Sequence, residues 1–234
     1  MKYHPKFHNS CNTIKNFTIF EIMKKKWNYI LMADIIGSRK VEQSKLMKGF
    51  KNVVANANKN LEQQLLSPLT ITLGDEFQSV AKSLSSALDT VLYLEELIIK
   101  SKEDFKLRYV LLEGAIETPI NSQIAYGMLG SGLTEARETL VRSKKQKTRF
   151  NITLNDQELE KALTDAFLVL QRIIDKWKVE KDYYIVAEFL ANKDYKRVAA
   201  DLEKERSLIW KREKSLGIEE YFALKDVIHY LASK

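Results

Sequence analysis

Seven of the eight glycines fall between residues 37 and 132, and among them short apolar runs alternate with long stretches of helical periodicity. That interleaving constrains the middle of the chain to a mixed unit of sheet and helix. Trp27-Asn28-Tyr29-Ile30-Leu31-Met32-Ala33 is apolar and rich in strand formers, so it reads as a buried strand that ends at Asp34 and turns at Gly37-Ser38. From Val41 to Leu65 the positions Leu46, Phe50, Val53, Val54, Ala57, Leu61 and Leu65 recur at helical steps. They predict a long amphipathic helix stopped by Pro68. Leu69–Leu73, Gly74-Asp75-Glu76 and Phe77–Val80 predict two strands joined by a tight hairpin. A second helix carries Leu84, Leu88, Val91 and Leu92 on one side, and residues 106–114 predict a further strand. The order is βαββαβ, a ferredoxin-like α+β domain.

After Arg142 the character changes: Lys144-Lys145-Gln146-Lys147-Thr148-Arg149 is basic, a short strand Phe150–Leu154 follows, and the rest reads helical. The expected division is a basic N-terminal extension at 1–26 read as disordered, an α+β domain at 27–154 and an all-α domain at 155–234. Residues 1–22 lack periodicity, Met23 is a second candidate start, and the extension is expected to be dispensable. The net charge of +7 divides as +5 over residues 1–27, −1 over 28–143 and +3 over 144–234. Basic ends suit a phosphate backbone or simply a solvated surface. No apolar run approaches the ~18 residues needed to cross a bilayer, so a cytoplasmic protein without membrane partners is expected. Cys11 is the single cysteine and there are three histidines, so any metal is expected to take oxygen ligands.

Asp34 ends the first strand and Asp75 lies in the hairpin tip. If those strands are neighbours, both carboxylates project from one edge of the sheet, where they can hold Mg²⁺ (or Mn²⁺) against the phosphates of a nucleotide. Gly37 and Ser38 can turn backbone N–H groups toward a phosphate. Two aspartates in turns also fit local capping and nothing more. Arg39 and Arg137 are candidate phosphate contacts with a solvated or ion-paired surface role as the alternative, and Glu76 reads as the outward residue of the hairpin.

The segments Leu31-Met32-Ala33-Asp34-Ile35-Ile36-Gly37-Ser38-Arg39, Thr70-Ile71-Thr72-Leu73-Gly74-Asp75-Glu76-Phe77-Gln78 and Pro119-Ile120-Asn121 ahead of Gly127-Met128 resemble the SatD family over about residues 27–215. More remotely, the pattern is similar to the palm of class III nucleotide cyclases and diguanylate cyclases, which implies a nucleotide-cyclase-type palm here. In those proteins a strand ending in Asp-Ile-x-Gly and a Gly-Asp hairpin supply two metal-binding carboxylates, which implies that role for Asp34 and Asp75; Arg108 and Gly114 also fit. Class III cyclases further use an Asn and an Arg four residues later. Here Thr134 stands where Asn is expected and Arg137 comes one residue early, so the resemblance implies binding of a nucleotide and not efficient cyclisation.

In the helical part, Tyr195 to Glu213 has helix-turn-helix spacing, with Val198, Ala199, Leu202 and Ile209 as packing positions. It resembles sigma factor region 4, with Glu203 at the turn position usually held by glycine. On that resemblance Arg206, Ser207, Trp210, Lys211 and Lys214 face outward toward double-stranded DNA, while a helical bundle without DNA contact stays open as the alternative. Trp177 and Tyr183-Tyr184 read as bundle core. The combined expectation is a DNA-binding regulator with a Mg²⁺-nucleotide palm. The alternative is an enzyme of nucleotide metabolism or signalling whose helical part serves assembly, and a homodimer is left open.

Overall fold

A computed structural model describes residues 27–38 and 43–234. The expected N-terminal extension and Arg39 lie outside the described residues. The elements run β1 (Trp27–Ile35), α1 (Gln43–Leu61), β2 (Leu65–Ile71), β3 (Glu76–Ala81), α2 (Leu84–Lys100), β4 (Leu107–Ala115), α3 (Ser131–Ser143), β5 (Phe150–Thr153), α4 (Gln157–Ile174), α5 (Tyr183–Ala191), α6 (Tyr195–Asp201), α7 (Arg206–Leu216) and α8 (Ile218–Ala232). The sheet order is β2-β3-β1-β4-β5, antiparallel except for the parallel β4–β5 pair. The first four strands and two helices therefore form the expected ferredoxin-like α+β unit, and β5 extends it by one strand.

Alternation along β1 sends side chains to two cores. Leu31, Ala33 and Ile35 join a large cluster with α1 and α2, while Ile30 and Met32 pack with Val110, Leu112 and residues of α3. The large cluster continues from the sheet into the helical part. Phe150 of β5 meets Tyr109 at 5.4 Å and Phe167 of α4 at 5.0 Å between ring centroids. Residues on either side of position 154 thus share one apolar core.

Pro68 does not end a helix. Helix α1 stops at Leu61, a single 3₁₀ turn spans Glu62–Gln64, and Pro68 lies inside β2. Such a place is open to proline because β2 is an edge strand whose register with β3 shifts on both sides of Ser67. Trp177 and Tyr183 are buried as expected of bundle core, whereas Tyr184 is exposed.

Helix α3 lies against β4 because both carry glycine where they meet. A Cβ on Gly132 would come within 2.7 Å of the Gly114 backbone. Gly132→Ala is expected to destabilise the fold by about 1–3 kcal/mol despite the better helix propensity of alanine. A denaturant melt that left the midpoint unchanged would show that α3 yields without loss.

Candidate functional site: a cleft at one end of the sheet

The ends of β1 and β4 and the β2–β3 turn meet at one end of the sheet. Asp34 pairs across the strands with Glu76 of β3 and Arg108 of β4, so these three residues form one row. The backbone N–H of Ile35 donates to the Asp75 carbonyl at 2.9 Å, which draws the hairpin tip against the end of β1. Gly37 and Gly74 both have φ of +73°, the left-handed region that favours glycine, and these are the two turns that flank the cleft. Ser38 Oγ donates to Asp75 Oδ2 at 2.6 Å. Asp34, Gly37, Ser38 and Asp75 line an open cleft of about 780 Å³ together with Arg108 and Lys144.

Asp34 is only 3% exposed and its charge is matched by two cations. Arg108 Nη1 donates to both carboxylate oxygens, at 2.9 and 3.2 Å, and Lys144 Nζ lies 3.1 Å from Oδ2. A buried carboxylate without such partners would be strongly disfavoured. Arg108 is buried as well, and its Nε has no hydrogen-bond partner among the described residues. Lys144 is different: half of its side chain is exposed, so it is the cation free to exchange. Among the described residues no three His, Cys, Asp or Glu side chains converge as a ready metal cage. Of the two carboxylates, Asp75 is the more accessible, and Asp34 could serve a cation such as Mg²⁺, which takes one or two protein ligands and completes its octahedron with phosphate and water, only where Lys144 gives way.

Glu76 turns inward rather than outward, a departure from the sequence reading. It is buried, accepts a hydrogen bond from Thr72 Oγ1 at 3.2 Å and is ion-paired with Arg137 of α3. Cross-strand pairing with Asp34 places it on the covered face of the sheet, where only a partnered carboxylate is tolerated. Arg137 is consequently held at Glu76, and Thr134 is exposed near the start of the same helix. Sequence reasoning missed Lys144 as a cleft residue because it sits in a run that reads as solvated linker. The sequence marks Arg108 as a strand-end residue, but its ion pair with Asp34 is a cross-strand fact that no local pattern carries.

The tail residues are placed elsewhere. Helices α6 and α7 pack through Val198, Ala199 and Ile209, all buried, and Glu203 between them has φ of +52°. Arg206, Ser207, Trp210, Lys211 and Lys214 are exposed on α7, with Lys214 ion-paired to Glu219.

The model of the SatD family matches residues 29–231, from β1 into the last helix. No curated protein matches the chain. Among solved structures, a bacterial light-regulated adenylyl cyclase is similar at 12% identity and a TM-score of 0.41, over 54% of this chain and 74% of its own. The guanylyl cyclase Cya2 is similar at 10% identity and a TM-score of 0.36, over 50% of this chain and 70% of its own.

Proposed function

The chain belongs to the SatD family, and from that premise we propose that it is a regulator that binds a Mg²⁺-nucleotide in the sheet-end cleft and double-stranded DNA through α7. The observation that carries the nucleotide reading is the meeting of Asp34 and Asp75 with Lys144 and Arg108 beside two left-handed glycine turns. Magnesium, when bound, would balance the two carboxylates against phosphate charge. Arg108 keeps Asp34 oriented, and the half-exposed Lys144 leaves Asp34 to pair with a phosphate oxygen. Calorimetric titration of the full chain with ATP and GTP is expected to show saturable binding that requires Mg²⁺. Absence of binding with either nucleotide, in Mg²⁺ or Mn²⁺, would overturn the reading.

Binding without cyclisation is supported by the Glu76–Arg137 pair. An arginine engaged by a buried carboxylate is not available to a developing phosphoryl anion. Incubation with ATP, GTP and Mn²⁺ is expected to yield no cyclic product above background. Robust turnover that Asp75→Asn abolishes would instead favour the enzyme alternative.

The DNA reading is supported by the exposed row on α7 and by the left-handed Glu203, which turns α6 into α7. Replacing Lys211 and Lys214 together by Glu is expected to weaken binding and to flatten the plot of log affinity against log salt by about two units. Anisotropy titrations at several salt concentrations test this. An unchanged affinity would mean that the helical part serves assembly alone.

A further inference from the structure

A second groove, of about 840 Å³, adjoins the carboxylate cleft. Ile36 lines it, whereas its neighbours Ile35 and Gly37 line the cleft, so the turn after β1 is a wall common to both. The Ile36 N–H donates to the Lys106 carbonyl at 2.9 Å and fixes that wall to the segment entering β4. The opposite wall is the stretch between α4 and α5, and it is pinned from behind. Trp177 Nε1 donates to the Leu216 carbonyl at 2.8 Å, the Lys178 N–H donates to Asp182 Oδ2 at 2.8 Å, and Arg212 is ion-paired with Asp182. The groove is therefore pre-formed, as small-molecule sites generally are.

Its chemistry differs from that of the cleft. Buried Phe105, Trp177 and Tyr183 give it an apolar lining. Around them stand three lysines and three carboxylates, so their formal charges cancel. No surplus of positive charge exists to draw a further phosphate. The Tyr183 hydroxyl stays protonated, because burial and then the negative charge of Glu95 push its pKa up to about 12. A flat, uncharged ring with donors and acceptors on its edge matches this lining.

We infer that the groove is the subsite for the heterocyclic base of the nucleotide whose phosphates occupy the neighbouring cleft. The inference rests on the nucleotide reading and adds where the base is recognised: across the turn after β1, against the stretch between α4 and α5.

The test compares Mg²⁺-tripolyphosphate with Mg²⁺-ATP and Mg²⁺-GTP by calorimetry on the full chain and on Val179→Trp, which fills the groove from its wall. Wild type is expected to bind at least one nucleotide about tenfold or more tighter than tripolyphosphate. V179W is expected to bind all three alike, at the wild-type tripolyphosphate affinity. Should V179W fail to fold by circular dichroism, Lys181→Trp blocks the same groove from an exposed rim position. Equal wild-type affinities for all three ligands would overturn the inference. So would a blocked variant that binds nucleotide like wild type, or one that loses tripolyphosphate as well. In the first two of those cases the nucleotide cleft itself would stand, loss of tripolyphosphate by the blocked variant would move the phosphates out of that cleft, and failure of wild type to bind any of the three would overturn both readings.

Discussion

Arg149→Met is expected to lower stability by about 3–5 kcal/mol, the range for stripping one partner from a buried ion pair. Arg149 is 3% exposed and sits where β5, α2 and α4 come together. Its Nη1 and Nη2 donate to Glu95 Oε1 and Oε2 at 2.8 and 2.7 Å, Nε donates to Asp175 Oδ1 at 3.1 Å, and Nη1 also reaches the Leu107 carbonyl at 3.1 Å. Burial alone would draw the guanidinium pKa down. Glu95 and then Asp175 more than reverse that, and the group stays charged. Removing it strands the Glu95 carboxylate, which among the described residues would keep only the Tyr109 hydroxyl at 2.8 Å. For a chain of this size the loss corresponds to a fall of about 6–20 °C in melting temperature. Glu95→Gln combined with Arg149→Met is expected to recover part of it, since the stranded charge is gone. Thermal melts of the single and double variants check this, and a single variant melting within about 2 °C of wild type would show that the network is dispensable.

For the site, Asp75→Asn is expected to weaken Mg²⁺-nucleotide binding by at least ~100-fold, about 2.7 kcal/mol, with little change in melting temperature. The asymmetry follows from the surroundings. Asp75 is half-buried and among the described residues its side chain accepts only from Ser38, so asparagine replaces it without stranding a charge. The same change removes one of two anionic ligands that a divalent cation would use. Asp34 is a poorer probe, because its loss would leave buried Arg108 uncompensated. Calorimetry beside a thermal melt separates the two effects. Undiminished affinity in Asp75→Asn would move the phosphate site away from the hairpin tip.

What the sequence disclosed, and what it hid, divides along the range of the interactions. The apolar run from Trp27 closed by Asp34 disclosed β1, and Gly74 disclosed the hairpin turn, because strand and turn propensities act over a few residues. The helical periods of α1, α2 and α4 to α8 were legible for the same reason. Pro68 misled because its meaning depends on whether a strand is central or at an edge, which is settled only when the sheet assembles. Glu76 misled in the same way: a charged residue after a turn reads as solvated until Arg137 arrives from 61 positions later. Lys144 and Arg108 reach Asp34 from distant parts of the chain, and nothing in their own neighbourhoods marks that meeting.

Edge strands of a sheet are open templates on which another chain can add itself, and aggregation often begins there. In this molecule one edge is β2, interrupted by Pro68 and by two shifts of register, and the other is β5, only four residues long. Neither offers a long, regular row of free backbone groups. A sheet with two edges is thereby kept from zipping onto its own copies while the chain is concentrated or newly made, and the irregularity at Pro68 that obscures β2 in the sequence acts as a guard in the folded state.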